Sequence, residues 1–259
     1  IVQVGTSEFL KKYNVHIGDK MYVLSQVKLK KETKENSEDI CEIPQNLDVK
    51  LLDIGKNWAK VSYNEYEGFI KNDILTSATV NPEIAENCRI FRIKEKLDIN
   101  MELNKPSGLT LEDYKKILSN NSSDKNKIFE ENAEVFYNIE NKYNINGVFL
   151  AAMGIHESGW GNSVIAQTKK NLFGYGAYDR DPYGYSYGFD TYEDCIETVA
   201  KVLVKFYINE AGTEIYDGEI AKGSYYNGAT LSGINTRYAS DKEWYNKIYL
   251  KMEDLYNKL

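Results

Sequence analysis

The hydrophobic pattern of the chain changes near residue 107, and this change limits the architectures that the chain can adopt. Before that point, apolar residues occur in short runs rich in β-branched and aromatic side chains, which is typical of strands. After it, apolar residues recur at the spacing of amphipathic helices. The sequence therefore predicts a small all-β part over residues 1–79, a connecting arm over 80–112 and a mainly helical part over 113–259.

The strand signal is carried by four short segments separated by turn residues. The charged stretch 28–39 predicts a solvated loop between the first two, and no helix is expected before residue 75. Residues 87–98 are compatible with one more strand or with a connecting arm. The four predicted strands are 20–27, 47–54, 58–63 and 66–70.

The helical part begins at a predicted cap. Ser107 or Thr110 can cap a helix that runs through Tyr114 and Leu118, and Thr110 and Asp113 have the spacing of a capping box. Residues 148–157 are apolar almost all round, so this segment is predicted to be a buried helix. Further amphipathic helices are predicted over 133–143, 192–207 and 241–259.

Composition excludes several classes of function. The chain has 259 residues, and its net charge of −7 disfavours a nucleic-acid binder, which would show a basic face. No stretch approaches the roughly 18 apolar residues of a membrane span. His16 and His156 alone cannot form a multi-His metal site, and Cys41, Cys88 and Cys195 form no CxxC pair. We therefore expect no metal, no cofactor and free, mostly buried thiols.

One carboxylate stands at the end of the apolar helix. Glu157 closes the 148–157 segment and is followed by Ser158 and by Trp160 between two glycines, which let a ligand approach. An apolar wall raises the pKa of a carboxyl group, as a general acid near neutral pH requires. The other interpretation is a plain helix C-terminus at which Glu157 is solvated.

The segment 171–190 is rich in Gly and Tyr and has no helical period. It predicts a small β-lobe or loop on which alternating aromatic rings and small residues provide stacking surfaces for sugars. A phosphate-binding loop is excluded because no Gly-Lys-Ser/Thr occurs. The other interpretation is a turn-rich hairpin whose tyrosines only pack, and the 21 tyrosines of the chain also fit the codon usage of an AT-rich genome.

Together these segments resemble the catalytic domain of glycoside hydrolase family 73, the bacterial endo-β-N-acetylglucosaminidases that cut peptidoglycan, from about residue 113 to 259. The resemblance implies a lysozyme-like α+β fold with a groove between a helical lobe and a β-lobe. Each motif alone is weak, but their order along the chain is specific. The motifs are Phe149-Leu150-Ala151-Ala152, His156-Glu157-Ser158-Gly159-Trp160-Gly161, Asn171-Leu172-Phe173-Gly174, Ala177-Tyr178-Asp179, Asn235-Thr236-Arg237-Tyr238-Ala239-Ser240-Asp241 and Trp244.

The N-terminal part resembles a bacterial SH3-like domain, a small β-barrel. The segments 27–30, 49–53, 57–61 and 67–70 carry this resemblance, and the Trp-x-Lys-Val step followed by Gly-Phe-Ile is its most recognisable part. Residues 28–33 depart from the Asn-Val-Arg-x-Gly-Pro stretch usual in the family, so a standard ligand groove is not implied; the alternative is a spacer barrel. An SH3-like module before this catalytic domain looks like a clostridial-type autolysin.

The resemblance also assigns roles at the site. It implies that Glu157 is the general acid and that Tyr238 lines the groove near the cleaved bond. Glycoside hydrolysis commonly uses a second carboxylate, for which Asp181 and Asp179 are the first choices. Asp190 and Glu193 are also near the predicted β-lobe, and assistance by the substrate N-acetyl group, oriented by the Tyr238 hydroxyl, is the alternative mechanism.

Substrate contacts are expected from the Gly- and Tyr-rich segment and from the turn after the apolar helix. For each of these residues the alternative is core packing, which is favoured for Phe173. Asn171, Phe173 and Gly174 are predicted to shape the groove floor, and Trp160, Tyr175 and Tyr178 to stack on sugars.

The sequence thus predicts a peptidoglycan hydrolase that cleaves the β-1,4 bond between N-acetylglucosamine and N-acetylmuramic acid. The alternatives are an N-acetylmuramidase or lytic transglycosylase on the same scaffold, and a non-catalytic wall-binding protein. The expected partners are wall glycan strands, with the stem peptide as a candidate ligand of the SH3-like domain. The predicted location is outside the cell, at the wall of a Gram-positive bacterium.

Overall fold

A computed structural model describes residues 4–176 and 182–259. The chain divides into two compact units, Ile1–Arg92 and Ile93–Leu259, which are described separately below. Within the described ranges, every helix is too short or too polar to cross a membrane.

The first unit is an antiparallel sheet that follows one N-terminal helix. The helix α1 spans Val4–Tyr13. The sheet has the strand order β3-β2-β6-β5-β4-β1-β7. The strands are β1 (Lys20–Val23), β2 (Val27–Lys30), β3 (Asp39–Ile43), β4 (Asp48–Ile54), β5 (Trp58–Tyr63), β6 (Tyr66–Lys71) and β7 (Leu75–Thr76).

Alternating burial explains why these residues form strands. In β5, Ala59 and Val61 are fully buried while their neighbours are partly exposed. In β6, a Cβ at Gly68 would lie 2.6 Å from the carbonyl oxygen of Lys30, so the close approach of β2 requires glycine there. The prediction of an all-β part is confirmed for residues 20–76, whereas its likeness to an SH3 domain stays a prediction.

Three expectations for this region were wrong. Residues 4–13 are helical, although they lie in the part predicted to be all-β, and part of the predicted 28–39 loop is strand, since β2 extends to Lys30. Residues 87–98 do not form one more strand, because Pro82–Glu95 is the helix α2. Ile84 and Cys88 are spaced i, i+4 on this helix, and both are buried against the core of the sheet.

The second unit consists of helices around one long apolar helix. The segment Gly147–Ser158 is α6, and every residue from Gly147 to Ile155 is buried. The other helices are α3 (Leu111–Leu118), α4 (Ile128–Glu131), α5 (Ala133–Tyr143), α7 (Val164–Lys169), α8 (Pro182–Tyr185), α9 (Tyr192–Phe206), α10 (Leu231–Tyr238) and α11 (Trp244–Tyr256). Both α5 and α11 pack against α6.

The predicted helix boundaries agree closely with this arrangement. The capping box of Thr110 and Asp113 is present at the start of α3. The mixed α+β class is confirmed for the chain. The small β-lobe is not found in the described part of 171–190, which contains turns and α8. Left-handed conformations at Gly174 and Gly176 form these turns in place of a strand.

Candidate active site

The candidate site is built on the C-terminal end of the buried helix α6. Glu157 is the penultimate residue of this helix, and it is exposed although the helix before it is buried. The helix stops at Gly159, which adopts a left-handed conformation. The arrangement therefore places an accessible carboxylate on a backbone that packing holds in place.

The turn after Glu157 has an unusual backbone. Gly159, Trp160 and Gly161 have φ values of 59°, 60° and 71°, three successive left-handed residues. The Ser158 hydroxyl fixes this turn, because it donates to the Gly154 carbonyl at 2.6 Å and accepts from the Gly161 amide at 2.8 Å. Left-handed conformation at a non-glycine residue is unfavourable and persists only where the surroundings enforce it.

The aromatic residue that holds Glu157 comes from another part of the chain. The indole Nε1–H of Trp244 donates to Glu157 Oε1 at 2.9 Å, and Trp244 is only 2 % exposed. Trp160, the expected neighbour, packs its half-buried ring edge-on against Phe129, with the ring centroids 5.5 Å apart. Trp244 was recognised in the sequence as a family motif residue but was given no role.

Tyr238, at the C-terminal end of α10, lies beside this pair. Its ring centroid is 5.1 Å from that of Trp244 and 5.7 Å from that of Tyr207. Burial raises the pKa of the Tyr238 hydroxyl, and the negative charge of Glu157 raises it further. The phenol therefore keeps its proton at neutral pH and can donate a hydrogen bond. Tyr238 and Glu157 thus both contact Trp244, and the roles that the resemblance implies for them stay predictions.

Further aromatic rings extend from Tyr238. The rings of Tyr207 and Tyr225 are 5.0 Å apart, and Tyr225 is 46 % exposed. Tyr187 is 62 % exposed, and its ring lies 6.0 Å from that of Tyr175. Such rings have one face packed and one face wet, which suits contact with a sugar. Tyr187 belongs to the 171–190 segment that was predicted to provide stacking surfaces, although it was not singled out there. Tyr207 and Tyr225 were not predicted, because only their three-dimensional neighbours distinguish them from other tyrosines.

The loop that begins at Asn171 is organised from inside. The buried Asn171 amide donates to the carbonyls of Tyr175 at 2.9 Å and Tyr187 at 3.0 Å, and it accepts from the Tyr175 amide at 2.9 Å. Phe173 is 4 % exposed and lies in the core, whereas Gly174 is partly exposed and left-handed. Asn171 and Phe173 therefore support the loop that presents Tyr175 rather than facing solvent themselves.

The remaining predicted residues are divided between exposed and undescribed positions. Asp190 and Glu193 are both exposed to solvent. Tyr178, Asp179 and Asp181 lie outside the described residues, so their roles stay predictions.

Comparisons with known proteins cover the part of the chain that contains this candidate site. Residues 133–257 match a family model described as "Glucosaminidase: Mannosyl-glycoprotein endo-beta-N-acetylglucosaminidase". This segment, a little under half of the chain, is similar to glucosaminidase domains, and it contains Glu157, Tyr238 and Trp244. Domains of this type belong to the glycoside hydrolases.

Curated proteins are also similar to parts of this chain. A Streptococcus pneumoniae protein named "Putative endo-beta-N-acetylglucosaminidase" is 34 % identical over 134 residues, which are 52 % of this chain and 18 % of the relative. A Bacillus subtilis "Beta-N-acetylglucosaminidase" is 27 % identical over 225 residues, 82 % of this chain and 23 % of that protein. The chain thus spans about a fifth of the length of the curated relatives it matches.

Solved structures of autolysins are also similar to this chain. A catalytic mutant of S. aureus Autolysin E in complex with the disaccharide NAG-NAM is 20 % identical, with a TM-score of 0.44 over 73 % of this chain and 81 % of that one. A "Major Bifunctional Autolysin" is 22 % identical, with a TM-score of 0.42 over 68 % and 77 %.

Proposed function

We propose that the second unit hydrolyses the β-1,4 bond between N-acetylglucosamine and N-acetylmuramic acid in peptidoglycan, with Glu157 as the general acid. The observation that carries this proposal is the hydrogen bond from Trp244 Nε1 to Glu157 Oε1 at 2.9 Å. It orients an exposed carboxylate at the end of a buried helix. The glucosaminidase family match over residues 133–257 supports the reaction class.

The geometry of Glu157 indicates how the proton is delivered. Oε1 accepts the indole N–H, so Oε2 is the oxygen available to carry the proton. That proton passes to the glycosidic oxygen as its bond to the anomeric carbon breaks. Water supplies the hydroxyl group at the anomeric carbon, and its second proton returns to the Glu157 carboxylate. One water is thereby added across the bond.

Stabilisation of the positive charge at the anomeric carbon is assigned to a second group. A carboxylate can stabilise this charge as a nucleophile, or it can act as the base that activates the attacking water. Asp181 and Asp179 are our candidates for this carboxylate. The alternative is attack by the substrate acetamido oxygen. The protonated phenol of Tyr238 lies next to Glu157 and can hold the acetamido group by a hydrogen bond. Full activity in Tyr238→Phe would exclude this role for the hydroxyl.

Reducing-end analysis tests the proposal. Purified peptidoglycan is digested with wild type, with Glu157→Gln and with the control Glu134→Gln, which changes an exposed carboxylate on α5. Borohydride-reduced fragments are then identified by mass spectrometry. We expect reduced N-acetylglucosamine ends with wild type and the control, and none with Glu157→Gln.

The same experiment separates the alternatives. Reduced muramic acid ends would indicate a muramidase, 1,6-anhydro ends a lytic transglycosylase, and no new ends a wall-binding protein. Because the family description names a mannosyl-glycoprotein, a high-mannose glycoprotein serves as the comparison substrate. Its cleavage in preference to peptidoglycan would contradict the proposed substrate.

For the first unit we propose binding of the wall stem peptide. A cavity of about 450 Å³ on this unit is lined by Trp58 and by side chains of both charges, among them Lys28, Glu42 and the ion-paired Lys71 and Glu35. Mixed charges around an aromatic ring fit a peptide that carries amino and carboxyl groups. Weaker binding of Trp58→Ala to intact walls, but not to walls stripped of peptide, is the expected result. We also propose that the protein acts outside the cell, at a Gram-positive wall.

A further inference from the structure

A cavity of about 550 Å³ lies where helices α10 and α11 meet. This volume is within the range of small-molecule sites. Neither the proposed hydrolysis at Glu157 nor the proposed peptide binding by the first unit involves this cavity. Its lining consists of Ser232, Asn235, Thr236, Ala239, Ser240, Lys242 and Tyr245.

The cavity is contiguous in sequence with the groups that surround Glu157. Ala239 directly follows Tyr238, and Tyr245 directly follows Trp244. Since consecutive Cα atoms are about 3.8 Å apart, two walls of the cavity begin one residue away from the catalytic arrangement.

The cavity offers hydrogen-bond donors and no negative charge. Within the described ranges, the Lys242 ammonium and the hydroxyls of Ser240 and Tyr245 have no hydrogen-bond or ion-pair partner. No Asp or Glu side chain belongs to the lining within this described part of the chain. The carboxylate of the adjacent Asp241 is already engaged, by Lys247 at 2.6 Å and by the Glu243 amide at 2.9 Å.

Asn235 keeps this arrangement rigid. Its side-chain amide donates to the Asp241 carbonyl at 2.9 Å and accepts from the Tyr245 amide at 3.1 Å. It is 7 % exposed, so it forms the floor of the cavity while Lys242 stands at the rim. A rigid floor with unpartnered donors above it is suited to binding an anion of defined position.

We propose that this cavity is a subsite for a carboxylate carried by the muramyl sugar next to the scissile bond, and that Lys242 determines specificity for acidic glycan over neutral chitin-type glycan. The inference rests on the proposed glucosaminidase function. Two carboxylates have this chemistry: the lactyl group of a peptide-free muramyl residue, and the carboxyl groups of an attached peptide.

Steady-state kinetics test the subsite with Lys242→Gln and Tyr245→Phe. The substrates are intact glycan strands and strands from which an amidase has removed the peptide, and a neutral N-acetylglucosamine oligomer is the competing ligand. We expect Lys242→Gln to raise KM for at least one acidic substrate about threefold to tenfold, with kcat unchanged. The inhibition constant of the neutral oligomer should not change.

Lys251→Gln is the matched control, because Lys251 lies on α11 with its ammonium 3.7 Å from Asp254. An effect confined to stripped strands identifies the lactyl group, and one confined to intact strands identifies the peptide. Equal effects on acidic and neutral ligands, or no effect, would overturn the subsite. Wild type that cleaves neither acidic substrate would instead refute the proposed function.

Discussion

Glu140, on helix α5, is the most completely buried carboxylate described, and it ties three parts of the second unit together. It is 1 % exposed. Oε2 accepts from the Ser107 amide at 2.8 Å, the Tyr114 hydroxyl at 2.7 Å and the Gly147 amide at 2.7 Å, and Oε1 accepts from the Ser107 hydroxyl at 2.9 Å. Gly147 is the first residue of α6, so Glu140 holds the start of the helix that ends at Glu157.

The number of hydrogen-bond donors to Glu140 determines how much free energy of unfolding is lost when its carboxylate is removed. Glu140→Ala leaves four buried donors without a partner, at about 1–3 kcal/mol each. The total is at least about 4 kcal/mol, a large fraction of the roughly 5–15 kcal/mol that stabilises a typical domain. Glu140→Gln keeps the shape and one acceptor oxygen, and its amide can donate to the Ser107 hydroxyl. We expect the Gln variant to fold and the Ala variant to be largely unfolded.

The pH dependence of stability shows whether burial or hydrogen bonding dominates the pKa of Glu140. Burial raises the pKa of Glu140, and the four hydrogen bonds oppose this without cancelling it. A raised pKa in the folded state means that the group contributes most to stability below its unfolded pKa, about 4.3. That contribution is lost as pH rises through the folded pKa. Glutamine does not titrate, so Glu140→Gln should gain stability relative to wild type as pH rises.

Urea unfolding between about pH 4 and pH 8 measures this difference. Both proteins carry Trp58→Phe, so fluorescence reports only Trp160 and Trp244 of the second unit. Asp254→Asn, which neutralises an exposed carboxylate on α11, is the control. If wild type gains stability relative to Glu140→Gln as pH rises, the hydrogen bonds outweigh burial and the reasoning is refuted.

Two further predictions concern the site itself. Trp244→Phe removes the N–H donor to Glu157 and should lower kcat about tenfold with little change in KM, in the assay of reducing ends. Equal activity would show that the hydrogen bond does not orient the acid. Gly161→Ala should cost at least about 2 kcal/mol in thermal unfolding, because its φ is 71° and its Cβ would lie 2.7 Å from Ile128 Cδ1. Gly159→Ala, where φ is 59° and a Cβ would meet no atom within 4 Å, should lower the free energy of unfolding by about 1 kcal/mol. A larger loss for Gly159→Ala than for Gly161→Ala would contradict this reasoning.

Local patterns in the sequence predicted much of the fold. The helix α5 and the strand β5 begin and end at the predicted residues, because each has a hydrophobic period that no neighbouring segment continues. The capping box at Thr110 is equally local. By contrast, α2 was missed because its buried face carries few strongly apolar residues, with Cys88 taking one position.

The site was predictable only in part, for a related reason. Glu157 stands out because an apolar helix ends at it, which is a local signal. Its partner Trp244 is 87 positions away, and no spacing rule joins the two residues. Trp160 is adjacent in sequence and was therefore assigned the nearby aromatic wall, but its left-handed backbone lets its ring pack against Phe129 instead.

The polar residues that make the site rigid are the hardest to predict from sequence. Asn171 and Asn235 were noticed only through the family motifs, and Glu140 was not noticed at all, because the role of each depends on the backbone atoms that it binds. Asn171 fixes the loop that carries Tyr175, Asn235 fixes the junction before Trp244, and Glu140 fixes the start of the helix that ends at Glu157. An exposed acid loses its orientation unless its surroundings are held, and a buried polar group bound on several sides resists displacement more than apolar contact alone. Variation at these three positions should therefore change kcat through geometry, although all three side chains are largely buried.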